Sequence, residues 1–460
     1  MEMTELERLV FFHKTPALWN KVRNQPDQPT ITSVRKMKAQ FKGKPLDEEM
    51  NLFLETDVYF QMCKRICHEL GINEIHIVHG FMEEESRNWS VSEQKGWSSV
   101  DEKATYWSLT NPAELLGFMD SSIVFTRGNY SKLHQWLREH SPKQEDQFWL
   151  HYPATSLRFP HLEHFEGSIK DAYENKKMES NLNDSLKGMV VEHNQKALAG
   201  VGIDSFFLLI EYFRNQRNAV VGGPYNLVLA DDTYNVELLQ NVYPNSLIQT
   251  FTKPAVWNQK NDVYTRKYDM IYCGTTLQET KNHHCFIQLL HHLDIYLDRK
   301  LKIVIAGNKV DSVVFTSIFT YPFSNIELID KGEVSRDQLQ TLFSESKTML
   351  VTSGRDANPR IIQESLTHGA RVLAINTLSD GLEFLQANPL LGTVLPSEPE
   401  SWIYTRNGNL EFKPSIHLAS LIVGEIRKSN FPDLVMKISR KKLSVEESVR
   451  PLAKTIKSFR

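Results

Sequence analysis

What most constrains this chain is the regular alternation of short apolar runs with amphipathic stretches through its second half. Residues 269–273, 301–306, 326–329, 348–352 and 371–375 read as strands, because each is a short run rich in β-branched and apolar side chains. Residues 282–296, 336–344 and 360–367 read as the helices between them. Such alternation requires parallel strands joined by right-handed crossovers, which is a doubly wound sheet. Sheets of this kind bind ligands beyond the carboxyl ends of their strands. Function is therefore expected in the loops after Cys273, Ala306, Ile329, Thr352 and Ile375.

The first half repeats the rhythm less cleanly. Strands are expected over 9–13, 75–79, 122–126, 148–152 and 226–230, with a helix over 52–70 ended by Gly71. The polar stretches 82–106 and 161–184 lack periodicity and read as surface loops or loosely ordered insertions that could shape an acceptor site. A chain of 460 residues exceeds one ordinary core, so two domains are expected. Pro254 and the polar segment that follows it mark a linker, giving an N-terminal domain over 1–258 and a second over 259–425.

A formal charge of −3 offers no global field for nucleic acid, and none is expected as a partner. The four cysteines, Cys63, Cys67, Cys273 and Cys285, are too few and too oddly spaced for a disulfide framework. Cys63 and Cys67, with His68 beside them, lack the further ligands a metal site needs. Residues 1–8 are acidic with no apolar core of a signal peptide, and no run of about 18 apolar residues occurs. A cytoplasmic protein is the expectation, with the Asn-x-Ser matches at Asn88, Asn129 and Asn183 left to chance.

The loop after residue 273 is Gly274-Thr275-Thr-Leu-Gln-Glu279-Thr-Lys281-Asn282. Gly274 allows a sharp turn, and Lys281 adds its charge to the positive end of the helix that follows, which suits a diphosphate. A lysine at a helix start that is simply solvated is the plainer reading. Gly307-Asn308-Lys309 follows the next strand, where glycine serves a close ligand approach or a tight turn equally. The segment 353–365 runs Ser-Gly-Arg-Asp356-Ala-Asn358-Pro359-Arg360-Ile-Ile-Gln-Glu364-Ser. It predicts a helix with Asn358 as N-cap and Pro359 at its first position, pointing N–H groups into the cleft. Arg360 offers a planar, permanent cation for phosphate oxygens. Glu364 lies one turn on, so either a ligand contact or a plain Arg360–Glu364 surface pair is consistent with the spacing.

In that order these segments resemble the donor domain of the retaining GT-B glycosyltransferases, the large group that includes sucrose- and mannosyl-transferring enzymes. Glu279-Thr-Lys281-Asn282, then 303–307, then Gly332-Glu-Val334-Ser335, then Asp356 to Glu364, then 368–372 and Asp380-Gly381-Leu-Glu383 fall where that family's motifs do. The match covers roughly 268–385. It implies an α/β fold of two Rossmann-like, doubly wound parallel-sheet domains facing a cleft, with 426–460 as helices crossing back to the first domain. It also implies roles. Lys281 and Arg360 would neutralise the donor diphosphate, Glu364 would take the ribose hydroxyls, and Asp356 would lie near the donor sugar. The backbone of 332–334 would flank the base, and His79, ending a strand, stands where the family often places a histidine near the sugar, the plainer reading being a satisfied strand-end histidine. Fixed cations and a helix end stabilise the leaving diphosphate, so neither metal nor cofactor is required. Transfer with retention, by front-face attack, is what the family implies.

The sequence departs from that pattern in three places. Thr275 replaces an arginine, Asp356 replaces a glutamate, and His13-Lys-Thr-Pro16 replaces a glycine loop. The expected function is a glycosyltransferase using a UDP- or GDP-linked sugar and a glycan or other hydroxyl acceptor. A GT-B protein that binds nucleotide-sugar or glycan without catalysis, and a nucleotide-sugar epimerase, remain as alternatives. At Asp231-Asp232 the choice is between a metal-binding acidic pair and a helix N-cap at Asp232, and the N-cap is expected. Basic residues with apolar ones interspersed over 427–457 read as the crossing helix, with weak membrane-surface contact the alternative.

Overall fold

The computed structural model describes residues 6–12, 57–79, 93–98, 103–108, 116, 119–127, 138–141, 143–153, 223–262, 265–274, 281–307, 317–353, 358–377, 381–404 and 410–459. The first sheet holds β1 (Arg8–Phe12), β2 (Glu74–His79), β3 (Glu93–Ser98), β4 (Lys103–Ser108), β5 (Ser122–Arg127), β6 (Phe148–Tyr152), β7 (Leu227–Ala230) and β8 (Leu247–Thr250). Their spatial order is β3-β4-β2-β1-β5-β6-β7-β8. Every pairing is parallel except β3 with β4.

The second sheet holds β9 (Tyr268–Cys273), β10 (Leu301–Ala306), β11 (Ile326–Asp330), β12 (Ser346–Val351), β13 (Arg371–Ile375) and β14 (Gly392–Leu395). All its pairings are parallel, in the order β11-β10-β9-β12-β13-β14. The strand order reverses between β9 and β12, and in the first sheet between β1 and β5. Sheets of this kind bind ligands outside the carboxyl ends of the strands at such points. A small antiparallel pair, β15 (Trp402–Tyr404) and β16 (Leu410–Phe412), stands apart.

The described helices are α1 (Val58–Leu70), α2 (Tyr234–Val242), α3 (His283–Tyr296), α4 (Arg336–Ser344), α5 (Arg360–Thr367), α6 (Leu382–Gln386), α7 (Ile416–Lys428), α8 (Pro432–Lys442) and α9 (Val445–Ser458). The ends of α1 follow from its sequence. Asp57 accepts from the N–H groups of Tyr59 at 3.0 Å and Phe60 at 2.9 Å, and Gly71, at φ 74°, stops the helix.

Strand residues alternate between two buried faces, as parallel sheets covered on both sides require. On the first sheet Leu9, Phe11, Ile123, Phe125, Phe148 and Leu150 pack with Met62, Cys63 and Ile66 of α1. On the second, Ile271, Val304, Met349 and Val372 pack with Phe343 of α4 and Ile362 and Leu366 of α5. The opposite face meets Phe286, Leu289 and Leu293 of α3 and Ile422 of α7.

Val449, Leu452 and Ile456 of the last helix are buried in the first sheet's core, against α1. Each contributes roughly 1.5–3 kcal/mol of apolar burial. The N–H of Ala255 donates to the carbonyl of Leu443 at 2.9 Å, where the two interdomain strands of chain pass each other. The apolar positions of the 427–457 stretch are thus largely spent inside the protein, although Phe431 and Leu434 are exposed. No described helix is long and apolar enough to cross a membrane.

The stretch 82–106 corrects the sequence reading. Instead of a loop it contributes β3 and the first part of β4, the edge pair of the first sheet. The pair is joined by an antiparallel backbone ladder, and such a ladder needs no apolar periodicity in the sequence. The stretch 161–184 lies outside the described residues.

Candidate functional site

The turns after β9, β10 and β11 are tied to one another through backbone atoms. The N–H of Gly274 donates to the Ala306 carbonyl at 3.2 Å, and that of Gly307 to the Gly332 carbonyl at 2.8 Å. Gly307 has φ 147°, and a Cβ there would collide with the Gly274 carbonyl oxygen. Gly332, at φ 60°, donates its N–H to Asp330 Oδ1 at 2.7 Å. Glycine is needed at 307 because two chain segments approach closely there.

His283, at the first position of α3, lies over Gly274; a Cβ on Gly274 would come within 2.7 Å of His283 Cε1. The Tyr272 hydroxyl is 2.8 Å from His283 Nδ1 and 3.2 Å from Thr352 Oγ1, and Thr352 Oγ1 donates to the Lys281 carbonyl at 2.9 Å. Burial pushes the Tyr272 phenol far up, so it stays neutral. The loop carrying Lys281 is therefore anchored to the end of β12 at the switch point. Asn282, with φ 52°, begins α3, and its buried Nδ2 has no hydrogen-bond partner among the described residues.

Of the two readings open for Glu364, the plain hydrogen-bonded surface pair with Arg360 is not the one formed. Glu364 Oε1 accepts from Arg336 Nη2 at 3.0 Å, and both side chains are largely buried. Arg336 opens α4 directly after Gly332-Glu-Val334-Ser335, and Ser335 with Gln338 forms that helix's capping box. The same Arg336 Nη2 donates to the Val256 carbonyl at 3.2 Å, so the pair links α5 and the start of α4 to the interdomain segment, while Val334 packs partly buried on the sheet. Arg360 stands exposed at the first position of α5.

Asn358 does not cap α5. The helix starts at Arg360 with Pro359 at the cap position, and Asn358 is buried at φ 45°. Its Nδ2 donates to Asp231 Oδ1 at 2.9 Å, its Oδ1 accepts from Gln363 Nε2, and its carbonyl accepts from Lys253 Nζ at 2.6 Å. The side chain is drawn across the domain boundary, where a half-buried carboxylate outcompetes a cap.

Asp232 is likewise not an N-cap. The cap position of α2 is Thr233, and Asp232 Oδ2 accepts from the Gly381 N–H at 2.9 Å. Asp231 accepts from the Tyr152 hydroxyl at 2.8 and 3.0 Å. Burial pushes the Asp231 carboxyl up, against the pull of Lys253 and of the Asn358 and Tyr152 hydrogen bonds.

Of the remaining expected site residues, Thr275, Asn308 and Asp356 lie outside the described residues. His79 ends β2 by its backbone, and its side chain is outside them too. His283, Arg336, Lys253 and the link from Asp231 to Asn358 carry no motif in the sequence. Only the two carboxylates following a strand gave any signal, and they pointed to a local cap.

No family model matches the sequence, and no curated protein matches it. The fold has solved counterparts. An α,α-trehalose-phosphate synthase (UDP-forming) from Burkholderia xenovorans is 8% identical with a TM-score of 0.53, covering 98% of this chain and 100% of that one. A sucrose-phosphate synthase from Thermosynechococcus elongatus is 10% identical with a TM-score of 0.50, covering 98% of both chains. A trehalose-6-phosphate synthase is 10% identical, also at 0.50, covering 98% of this chain and 99% of its own. The likeness runs through both sheets, and the chain has the GT-B fold, two Rossmann-like domains facing a cleft.

Proposed function

We propose that the protein is a glycosyltransferase that moves a sugar from a UDP- or GDP-linked donor to a hydroxyl of a glycan or similar acceptor. The observation that supports this reading is the Arg336–Glu364 pair, which ties a carboxylate of α5 to the residue that opens α4 just after the Gly332–Val334 turn. There Glu364 would accept hydrogen bonds from the ribose, and the turn would flank the base. Lys281, Arg360 and the uncapped start of α5 would face the diphosphate, with Gly274 and Gly307 keeping the floor low enough for it to approach. Asp356 and His79 would lie near the transferred sugar, and Thr275 and Asn308 in the loops around it.

As the anomeric C–O bond breaks, negative charge grows on the diphosphate. Lysine, arginine and helix N–H groups stabilise it where they stand, so the reaction is proposed to need no metal. Attack from the same face as departure would retain the anomeric configuration, with the leaving phosphate taking the acceptor proton. The solved relative described as UDP-forming supports a uridine donor.

Incubation with a panel of UDP- and GDP-sugars and acceptor extracts, reading released nucleoside diphosphate, tests the proposal. Release that disappears in Asp356→Ala and Lys281→Ala supports it. Binding of a nucleotide-sugar without release in every mixture would make the protein a binding module instead, and an epimerised sugar would make it an epimerase.

A further inference from the structure

We infer that Asp231 and Lys253, both in the first domain, are positioning residues for the donor site of the second, acting through Asn358. The inference rests on the donor site proposed above. Asn358 sits two residues before Arg360 and two after Asp356, in the left-handed region at φ 45°. Asparagine reaches that region more readily than other side chains, but it stays there only when its contacts hold it. Three hydrogen bonds do so, and only the one from Gln363 comes from its own domain. The other two are Lys253 Nζ to the Asn358 carbonyl at 2.6 Å and Asn358 Nδ2 to Asp231 Oδ1 at 2.9 Å.

These anchors are themselves fixed. Asp231 receives the Tyr152 hydroxyl at 2.8 Å, and Lys253 Nζ lies 5.7 Å over the Tyr152 ring. Arg127, at the end of β5, stacks on Tyr59 with its guanidinium 3.5 Å from the ring centroid and adds positive potential toward Asp231 and Tyr152. A row of interacting groups thus runs along the carboxyl edge of the first sheet, from its switch point to Asn358.

Lys253 is buried although cationic, and its carbonyl acceptor lies in the other domain. A charge kept out of water needs such a partner, so separation of the domains would strip Lys253 and Asn358 together. Asp231, Lys253 and Asn358 line an interdomain cavity of about 820 Å³. Closure of the domains over this cavity and the orientation of the first turn of α5 are therefore one event. The first domain supplies the contacts that fix how α5 faces the donor.

The test is hydrogen–deuterium exchange across 360–367, together with calorimetric titration of UDP and of GDP. Both use the full chain, unaltered and as Lys253→Met, Lys253→Arg and Asp231→Leu. Loss of one charge-assisted hydrogen bond should weaken nucleotide affinity about tenfold in Lys253→Met and Asp231→Leu, with exchange in α5 rising by about the same factor. Lys253→Arg, which can still donate to the carbonyl, should restore both. Unchanged exchange in Lys253→Met and Asp231→Leu overturns the inference, even if affinity falls, because the residues would then touch the nucleotide directly. Faster exchange that Lys253→Arg fails to restore also overturns it, by marking general loss of structure. An unaltered chain that binds neither nucleotide overturns the donor reading; faster exchange in the same variants would still show the hold on Asn358. If one variant does not fold, the other carries the comparison.

Discussion

Glu383, in the second domain, caps a helix of the first: its Oε2 accepts the Thr233 N–H at 2.7 Å, and its Oε1 accepts the Thr233 hydroxyl at 2.5 Å. The Tyr234 N–H reaches the same carboxylate at 3.2 Å. The start of α2 has no side-chain cap from its own cap residue, so the partner domain supplies the missing acceptor, and its negative charge suits that helix end.

Removing that cap should be felt across the boundary. Glu383→Ala is expected to cost about 1 kcal/mol, the usual value of a lost N-cap. Urea unfolding followed by tryptophan fluorescence measures it. Glu383→Gln, which keeps an acceptor, should lose less, and equal losses in the two variants would remove the capping account.

Glycines differ in what they permit. Gly307→Ala should destabilise by at least about 1–3 kcal/mol, because strain at positive φ adds to a collision with the Gly274 carbonyl. Gly71→Ala meets no atom within 4 Å and bears only the left-handed strain, so it should cost less. Gly424→Ala, inside α7 with open space around it, should stabilise by about 0.5–1 kcal/mol. Thermal unfolding of the three variants ranks them, and Gly307→Ala as the mildest would contradict the geometry.

Glu364→Ala should weaken UDP or GDP binding by about 1–3 kcal/mol, the value of a hydrogen bond to a charged group. The same change strands Arg336 in a largely buried place, so stability should fall as well. Arg336→Met would share the stability loss while keeping the carboxylate. Calorimetry on both variants separates the effects, and unchanged affinity in Glu364→Ala would take that residue out of the donor site.

Stability should decline in mild acid. His368 is fully buried, its Nδ1 lies 2.7 Å from the Glu364 carbonyl, and burial lowers its pKa below the ordinary histidine value. Burial lowers that of His76 too. The unfolded chain therefore takes up these protons first, so their contribution is whole above the unfolded pKa of about 6.5 and is lost as pH falls below it. Urea midpoints between neutral pH and about pH 5 should drop, with a shallower slope in His368→Gln. An identical slope in that variant would rule out His368 as a source.

Much of the second domain was legible because its signals are local. Helix 336–344 and strands 301–306 and 371–375 have the bounds their periodicity and flanking residues imply, and helix 360–367 has the bounds of its periodicity, with Pro359 as its cap rather than its first position. The strand-edge glycines 274, 307 and 332 were visible for the same reason. β3 and β4 were missed because an edge pair draws its stability from backbone hydrogen bonds, which leave little mark on side-chain pattern.

Local signals failed wherever a polar side chain had a choice of partner. Asn358 and Asp232 each precede a helix and read as caps, yet each turns to the other domain, more than a hundred residues away in sequence, for Asp231 and Gly381. Glu364 had Arg360 one turn away and took Arg336 from the neighbouring helix instead. The sequence alone determined most of the alternation of strands and helices in the second domain and pointed to the carboxyl edge of its sheet, because periodicity and turn residues act within a few positions. Which groups meet at that edge was decided only by tertiary structure, since burial makes a distant charged or amide partner worth more than a solvated near one.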